Sequence, residues 1–146
     1  MTDFSPSLAD YPYQVTLLSQ PQDCDEHGNL NNVVFYRFFD TAVKQFMVQE
    51  CQLNPLSDII VPFISSTQCQ YICSATYPET MVIGMRVIKM GRSAVTYGLS
   101  AYAGEQHRRV AHGQFVQVFV KRSSQRAVTI PDTYKALLKP LMESFE

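Results

Sequence analysis

Residues 23–40 read DCDEHGNLNNVVFYRFFD, a polar loop that leads directly into an apolar helical pattern. The apolar residues of this stretch and its continuation recur at the three-and-four spacing of one helical face; they are Phe35, Phe38, Phe39, Ala42, Val43, Phe46 and Met47. Because so many aromatic rings on one face need deep cover, we predict a central helix wrapped by a sheet. Asn31 or Asn32 is expected to cap its first turn, and the helix should end before Asn54-Pro55.

The remainder of the chain is rich in β-branched and aromatic residues separated by short Pro or Gly turns. We predict five strands, at Tyr13–Leu18, Ser65–Ala75, Thr80–Lys89, Ser93–Ala103 and Arg108–Lys121. The connections between the last four strands are too short for a parallel crossover, so these strands should be antiparallel neighbours. A last short helix is expected around Thr133 to Leu138.

This order of elements predicts a single domain of the α+β class over residues 1–146. A curved antiparallel sheet of about five strands wrapped around one long central helix would satisfy the pattern. A cystatin-like roll and a nuclear-transport-factor-like roll would satisfy it as well, so the element order leaves these architectures open.

The composition is that of a soluble globular protein, with 46% hydrophobic residues, 17% charged residues and a formal net charge of -1. It provides no basic field to bind nucleic acid, and no stretch reaches the roughly 20 apolar residues that a membrane span needs. The first residues lack the pattern of a secretion signal, so we expect a cytoplasmic protein without a membrane partner. A zinc site at Cys69 and Cys73 would need two further ligands, so we expect reduced thiols and no metal.

The loop places three acidic residues, a histidine and three asparagines directly before the predicted helix start. Free amides and the positive end of the helix dipole favour developing negative charge at such a terminus. A carboxylate aimed at the same place would suit attack on an activated acyl group without a cofactor. For Asp25 the ordinary alternative is an Asx-turn or a capping role.

The loop and helix resemble those of the hot-dog thioesterases of the 4-hydroxybenzoyl-CoA thioesterase and tol-pal-associated acyl-CoA thioesterase type. The matching segments are Asp23-Cys24-Asp25, Gly28, Leu30-Asn31-Asn32 and Tyr36-Arg37-Phe38-Phe39-Asp40. A later turn of that family is similar to Ile88-Lys89-Met90-Gly91-Arg92-Ser93, and its last strand is similar to Val118-Phe119-Val120. The resemblance implies a hot-dog fold and hydrolysis of acyl-CoA thioesters to free acid and CoA, without a cofactor.

The resemblance also implies a role for each matched loop position. Asp25 would be the catalytic carboxylate, acting as a nucleophile or as a base that activates water. The backbone amide of Asn32 would polarise the thioester carbonyl, and Gly28 would allow a close approach of the loop. Asn29 and Asn31 would contact the substrate.

At the later turn the resemblance implies contacts of Lys89, Arg92 and Ser93 with the CoA nucleotide. It further implies a site formed where two subunits meet, in a homodimer or a homotetramer. Position 29 is Asn where the family often has His, and Asn cannot titrate near neutral pH. A noncatalytic acyl-CoA or lipid-binding protein, an acyl-carrier-protein thioesterase and a hydratase of the same fold are therefore the alternatives.

Overall fold

The computed structural model describes residues 7–145 of the chain, with side chains as far as residue 142. Its strands are β1 (Tyr13–Leu18), β2 (Ile60–Tyr71), β3 (Thr80–Met90), β4 (Ala94–Ala103) and β5 (Arg108–Lys121). The helices are α1 (Val33–Gln45), which continues in π-helical form through Phe46–Glu50, and α2 (Asp132–Leu138). Short 3-10 segments lie at Leu8–Asp10, Pro21–Asp23 and Lys139–Phe145.

The five strands form one antiparallel sheet in the order β1-β3-β4-β5-β2. β3, β4 and β5 follow one another through short turns, whereas β1 and β2, which flank α1 in the sequence, lie at the two edges. The sheet curves around α1, and the predicted α+β hot-dog architecture is confirmed.

The buried face of α1 forms the centre of the core. Phe35, Phe38 and Phe39 are almost fully buried, and the ring of Phe39 packs edge-on against Phe115 of β5 at 6.0 Å between centroids. Each such ring contributes roughly 1.5–3 kcal/mol through burial alone. The predicted aromatic stripe is therefore what fixes the helix against the sheet.

β2 differs from the predicted strand at both ends, since it spans Ile60–Tyr71 in place of Ser65–Ala75. The observed strand begins earlier and includes Pro62, which is tolerated there because β2 is an edge strand and a residue without an N–H need not donate to a partner strand. At its C-terminal end β2 stops at Tyr71, because the amides of Ile72 and Cys73 both donate to the same Val110 carbonyl and regular pairing with β5 ends there. The other four strands lie within one residue of their predicted bounds.

The predicted asparagine cap is wrong. Asn32 is the N-cap residue by position, yet it already has helical dihedrals, with φ −57° and ψ −34°, and makes no side-chain cap hydrogen bond. The Asn31 side chain instead donates to the Asp23 carbonyl oxygen at 3.3 Å. The first turn of α1 is therefore left open rather than capped.

Within the described range, no helix combines the length and the apolar character needed to cross a bilayer.

Candidate functional site

The loop before α1 is a tight turn organised by Asp25. Its carboxylate Oδ1 accepts hydrogen bonds from the backbone amides of His27 at 2.8 Å and Asn29 at 3.1 Å. The Asp25 amide donates to the Asn29 carbonyl, and Gly28 closes the turn with φ +82°, a conformation that costs glycine little. The Asx-turn named as the ordinary alternative for Asp25 is thus present, and it fixes one carboxylate oxygen of Asp25 while Oδ2 has no hydrogen-bond partner among the described residues.

A buried ion pair anchors this loop to the helix. The Asp23 carboxylate is 7% exposed and accepts two hydrogen bonds of 2.8 Å from the Arg37 guanidinium. These hydrogen bonds from Arg37 are the main reason why the pKa of Asp23 lies below its usual value. The Asp23 carbonyl in turn accepts the backbone amide of Asn31 at 2.9 Å, so one residue holds both ends of the loop.

The far side of the loop is tied to the segment that follows β2. The Leu30 amide donates to the Ala75 carbonyl at 2.8 Å, and Asn29 forms an isolated antiparallel bridge with Thr76. Between the loop, the helix start and this segment lies an open cleft of about 230 Å³. Its lining comprises Asp25, Asn29, Leu30, Asn32, Phe35, Tyr71, Ile72, Cys73, Ser74 and Ala75.

The first amides of α1 are available at this cleft. The Val34 amide donates a hydrogen bond to the Asn31 carbonyl at 3.0 Å, and the Phe35 amide donates to the Asn32 carbonyl at 3.2 Å. The Asn32 and Val33 amides have no acceptor among the described residues, and both side chains are exposed. The missing side-chain cap leaves these donors free for an anionic oxygen.

The structure brings together only part of the predicted site. Asp25, Asn29 and Asn32 line one cleft, and Gly28 and Asn31 belong to the same loop.

Lys89, Arg92 and Ser93 lie at the β3–β4 turn. Tyr71 of the cleft lies in one row across the sheet with Ile83 of β3, and the seven residue steps from Ile83 to Met90 correspond to roughly 24 Å at 3.4 Å per residue. Arg92 contacts Thr129 there, at 3.2 Å between Nε and Oγ1. Within one chain the turn and the cleft are therefore apart.

Sequence reasoning missed the cleft wall formed by residues 71–74, because it extended β2 through them. Burial is the main cause that raises the pKa of Tyr71 to about 12, with Cys69 and Tyr36 close by. The phenol therefore stays protonated at neutral pH and can donate a hydrogen bond. Cys73 lies beyond the strand end, not on the same strand face as Cys69. In the described residues, no three His, Cys, Asp or Glu side chains are placed to share a metal ion.

Comparisons with known proteins agree with the fold. A sequence model of the thioesterase-like superfamily matches residues 19–138. The solved PA5185 protein of Pseudomonas aeruginosa is 31% identical, with a TM-score of 0.89 over 97% of this chain and 99% of that chain. Among proteins with curated functions, none matches the sequence significantly.

Two more distant structures resemble the chain in fold. The SAV2348 protein of Staphylococcus aureus, solved in complex with CoA, is 9% identical, with a TM-score of 0.78 over 90% of this chain and 84% of that chain. An aspartate-to-asparagine mutant of 4-hydroxybenzoyl-CoA thioesterase, complexed with 4-hydroxybenzoyl-CoA, is 20% identical, with a TM-score of 0.73 over 86% of this chain and 98% of that chain.

Proposed function

The chain belongs to the thioesterase-like superfamily, and from this membership we propose that it hydrolyses acyl-CoA thioesters to free acid and CoA. The observation that carries the proposal is the meeting of two groups at one cleft. They belong to two residues that line it, and are the Asp25 carboxylate and the backbone amide of Asn32, which has no acceptor among the described residues.

In the proposed reaction the thioester carbonyl oxygen accepts a hydrogen bond from the Asn32 amide. Negative charge that develops on this oxygen is stabilised by the amide and by the positive end of the helix dipole. Loss of one such donor typically costs about 2.7–4 kcal/mol in an enzyme of this kind. The Asp23–Arg37 pair serves the reaction indirectly, because it fixes the loop relative to the helix start.

Asp25 would act through the oxygen that the loop leaves open. Its Oδ1 is occupied by the His27 and Asn29 amides, so Oδ2 is the atom available to attack the carbonyl carbon or to take a proton from water. In the first route CoA thiolate leaves and an enzyme-bound anhydride is hydrolysed. In the second route water attacks, the thiolate leaves and no covalent intermediate forms.

The CoA moiety would be bound by Lys89, Arg92 and Ser93 of a second subunit. Within one chain these residues lie at the far end of β3, so a homodimer, alone or paired into a homotetramer, would have to bring them to the cleft. β2 supports such an assembly, since it is a twelve-residue edge strand whose free side pairs with no other strand in the described part of the chain. All four cysteines are unbonded, which fits the reducing cytoplasm that we propose as the location.

The test is hydrolysis of short, long and aromatic acyl-CoA substrates by wild type and by Asp25→Asn, with detection of the free thiol. We expect the variant to bind acyl-CoA and to lose at least about 100-fold in kcat, as for removal of a catalytic acid-base group or nucleophile. Glu26→Gln is the matched control, because it removes a neighbouring exposed carboxylate of the same loop, and it should keep wild-type turnover.

Three outcomes would contradict the proposal. Turnover by Asp25→Asn at the wild-type rate would show that the Asp25 carboxylate takes no part in the reaction. Binding of all acyl-CoA substrates without turnover by wild type would favour the noncatalytic binding protein. Turnover only of acyl groups attached to acyl carrier protein would show that the substrate is an acyl carrier protein thioester and not a CoA thioester.

A further inference from the structure

A second cavity lies between the end of α1 and the beginning of β2, away from the cleft of Asp25. Its volume is about 170 Å³. Most of its lining is apolar, from Met47, Val48, Leu53, Pro55, Pro62, Phe63 and Ile64, with Lys44 at the rim and Gln117 as the other polar residue. At about 30 Å³ for each water-sized group, it holds roughly five or six non-hydrogen atoms.

Gln117 is a buried polar residue in a mostly apolar cavity wall. It lies on β5 between the buried rings of Phe115 and Phe119, and it is 2% exposed. The Tyr97 hydroxyl donates to Gln117 Oε1 at 2.6 Å, which uses the oxygen of the amide. The Gln117 NH2 group has no hydrogen-bond partner among the described residues.

The Gln117 NH2 group is nearly but not fully enclosed, since Ser19 Oγ is the one fully buried side-chain polar atom without a partner in the described part of the chain. Buried polar side-chain atoms nearly always have a partner, because the hydrogen bonds lost from water must be replaced. The Tyr97 hydroxyl holds the amide in place, so the donor is fixed in position before any ligand arrives. A ligand that fits here would be apolar along its length and carry an oxygen acceptor near its end.

We propose that this cavity binds the far end of the substrate acyl group, and that Gln117 selects acyl groups with a distal keto or other acceptor oxygen. The inference rests on the proposed thioester hydrolysis, because that reaction supplies the acyl group.

The proposal requires an acyl group at the cleft to extend to the cavity by one of two paths. Along one chain, the fourteen residue steps from Val33 to Met47 correspond to about 21 Å of helix, so a long acyl chain would be needed. In a dimer joined through β2 the distance is shorter. Phe63 at the cavity and Tyr71 at the cleft lie towards opposite ends of β2, and antiparallel pairing would bring one near the other across the interface.

Matched pairs of acyl-CoA substrates test the selection. The two members of a pair differ only in a keto group at the penultimate carbon, and the series runs from hexanoyl to hexadecanoyl. We expect wild type to favour the keto member by about tenfold or more in kcat/KM at the chain length that reaches the cavity, because a site built around a hydrogen-bond donor rejects the analogue without an acceptor. Gln117→Leu should bring this ratio to within about twofold of unity while the plain substrate is still hydrolysed.

Gln114→Leu is the matched control, since it makes the same change at an exposed position of the same strand, and it should keep the wild-type ratio. Tyr97→Phe removes the hydroxyl that holds the Gln117 amide in position, so it should weaken the preference for the keto member without changing the Gln117 side chain itself. A wild-type ratio near unity at every chain length, or an unchanged ratio in Gln117→Leu, would overturn the proposal.

A binding measurement separates this inference from the proposed hydrolysis. 2-Pentanone has the size of the cavity and one acceptor oxygen, and we expect it to shift the side-chain amide resonances of Gln117 in NMR spectra. The shift should disappear in Val48→Trp, which closes the cavity mouth and leaves Gln117 in place. If millimolar 2-pentanone leaves these resonances unmoved, the cavity proposal fails even if the protein hydrolyses acyl-CoA; if they shift, the site stands whether or not hydrolysis is found.

Discussion

Asp23 is a loop residue whose charge must be compensated inside the protein, because its carboxylate is almost fully buried. The side chain of its partner Arg37 is half exposed. A buried carboxylate without a partner would lose its hydration without replacement. Two hydrogen bonds from Arg37 and one from the Gln20 amide satisfy it. The placement of Asp25 therefore depends on a neighbour that never touches the cleft.

We expect Arg37→Met to lower the free energy of unfolding at neutral pH by about 1–3 kcal/mol, because it leaves the Asp23 carboxylate buried with only the Gln20 amide as a partner. Chemical denaturation measures the difference. Lys44→Met is the matched control: it breaks the 2.8 Å pair with Asp40 on the same helix, at a more exposed position, and should cost less than about 0.5 kcal/mol.

The same comparison has a defined pH dependence. Arg37 holds the pKa of Asp23 below its usual value, so the folded state releases the proton more readily than the unfolded chain. The stabilisation is complete above the unfolded pKa of about 3.9 and is lost as the pH falls through the folded-state pKa. The difference between wild type and Arg37→Met should therefore shrink in acid, and a difference that stays constant down to pH 2 would assign the effect to lost packing.

At the scale of elements, the strands and the helix were predictable wherever one physical signal dominated. β1 and β5 have their predicted bounds because alternation and turns agree there. The beginning of β2 was not predictable in the same way, because Pro62 is compatible with a strand only at a sheet edge and the edge position follows from the tertiary fold. The cleft wall after Tyr71 depends on hydrogen bonds to Val110 and Leu30, which are distant in sequence, so no local pattern reports it.

β2 and β5 pack so closely at one point that only glycine fits. A Cβ atom built on Gly113 would lie 2.1 Å from the Gln68 carbonyl oxygen and 3.3 Å from Cys69 Cα, both of which belong to the backbone of β2. A backbone atom cannot move away without breaking the ladder that carries Tyr71 to the cleft.

We expect Gly113→Ala to lower stability by at least about 2 kcal/mol, because it forces the two strands apart. For a chain of this size that is a fall in Tm of about 5 °C or more, measurable by thermal unfolding. Gly91→Ala is the matched control, since its Cβ would meet the nearest atom, the Ala94 carbonyl oxygen, at an ordinary 3.5 Å. Equal Tm values for the two variants would contradict the close approach.

At the scale of the whole molecule, one chain leaves both its cleft and its β2 edge open. Val33 beside the cleft is 71% exposed, and Phe63, Tyr71 and Ile72 also present apolar surface along or just after β2. A long edge strand with apolar side chains invites pairing with another chain. A second copy of the chain would cover this surface and would bring its own β3–β4 turn, with Lys89, Arg92 and Ser93, close to the cleft.

The proposed sharing of the site predicts complementation between two defective variants. Asp25→Asn should lack turnover, and the double variant Lys89→Ala/Arg92→Ala should have a raised KM for acyl-CoA, because it removes two cations that would bind the CoA phosphates. In a mixed dimer, isolated through a different affinity tag on each subunit, one site would combine an intact Asp25 with an intact turn. That dimer should show about half of the wild-type kcat at the wild-type KM, since an isologous pair has two equivalent sites.

If each chain binds CoA with its own turn, no intact site arises in the mixed dimer, and its KM stays at the raised value of the double variant. A wild-type KM for the double variant Lys89→Ala/Arg92→Ala would show that the turn does not bind CoA. The mixed dimer is decisive because its two arrangements give different KM values, while the roughly 24 Å along β3 between the cleft row and the turn exceeds the reach of a lysine or arginine side chain. Recovery of a low KM would therefore require the two subunits to meet at the cleft.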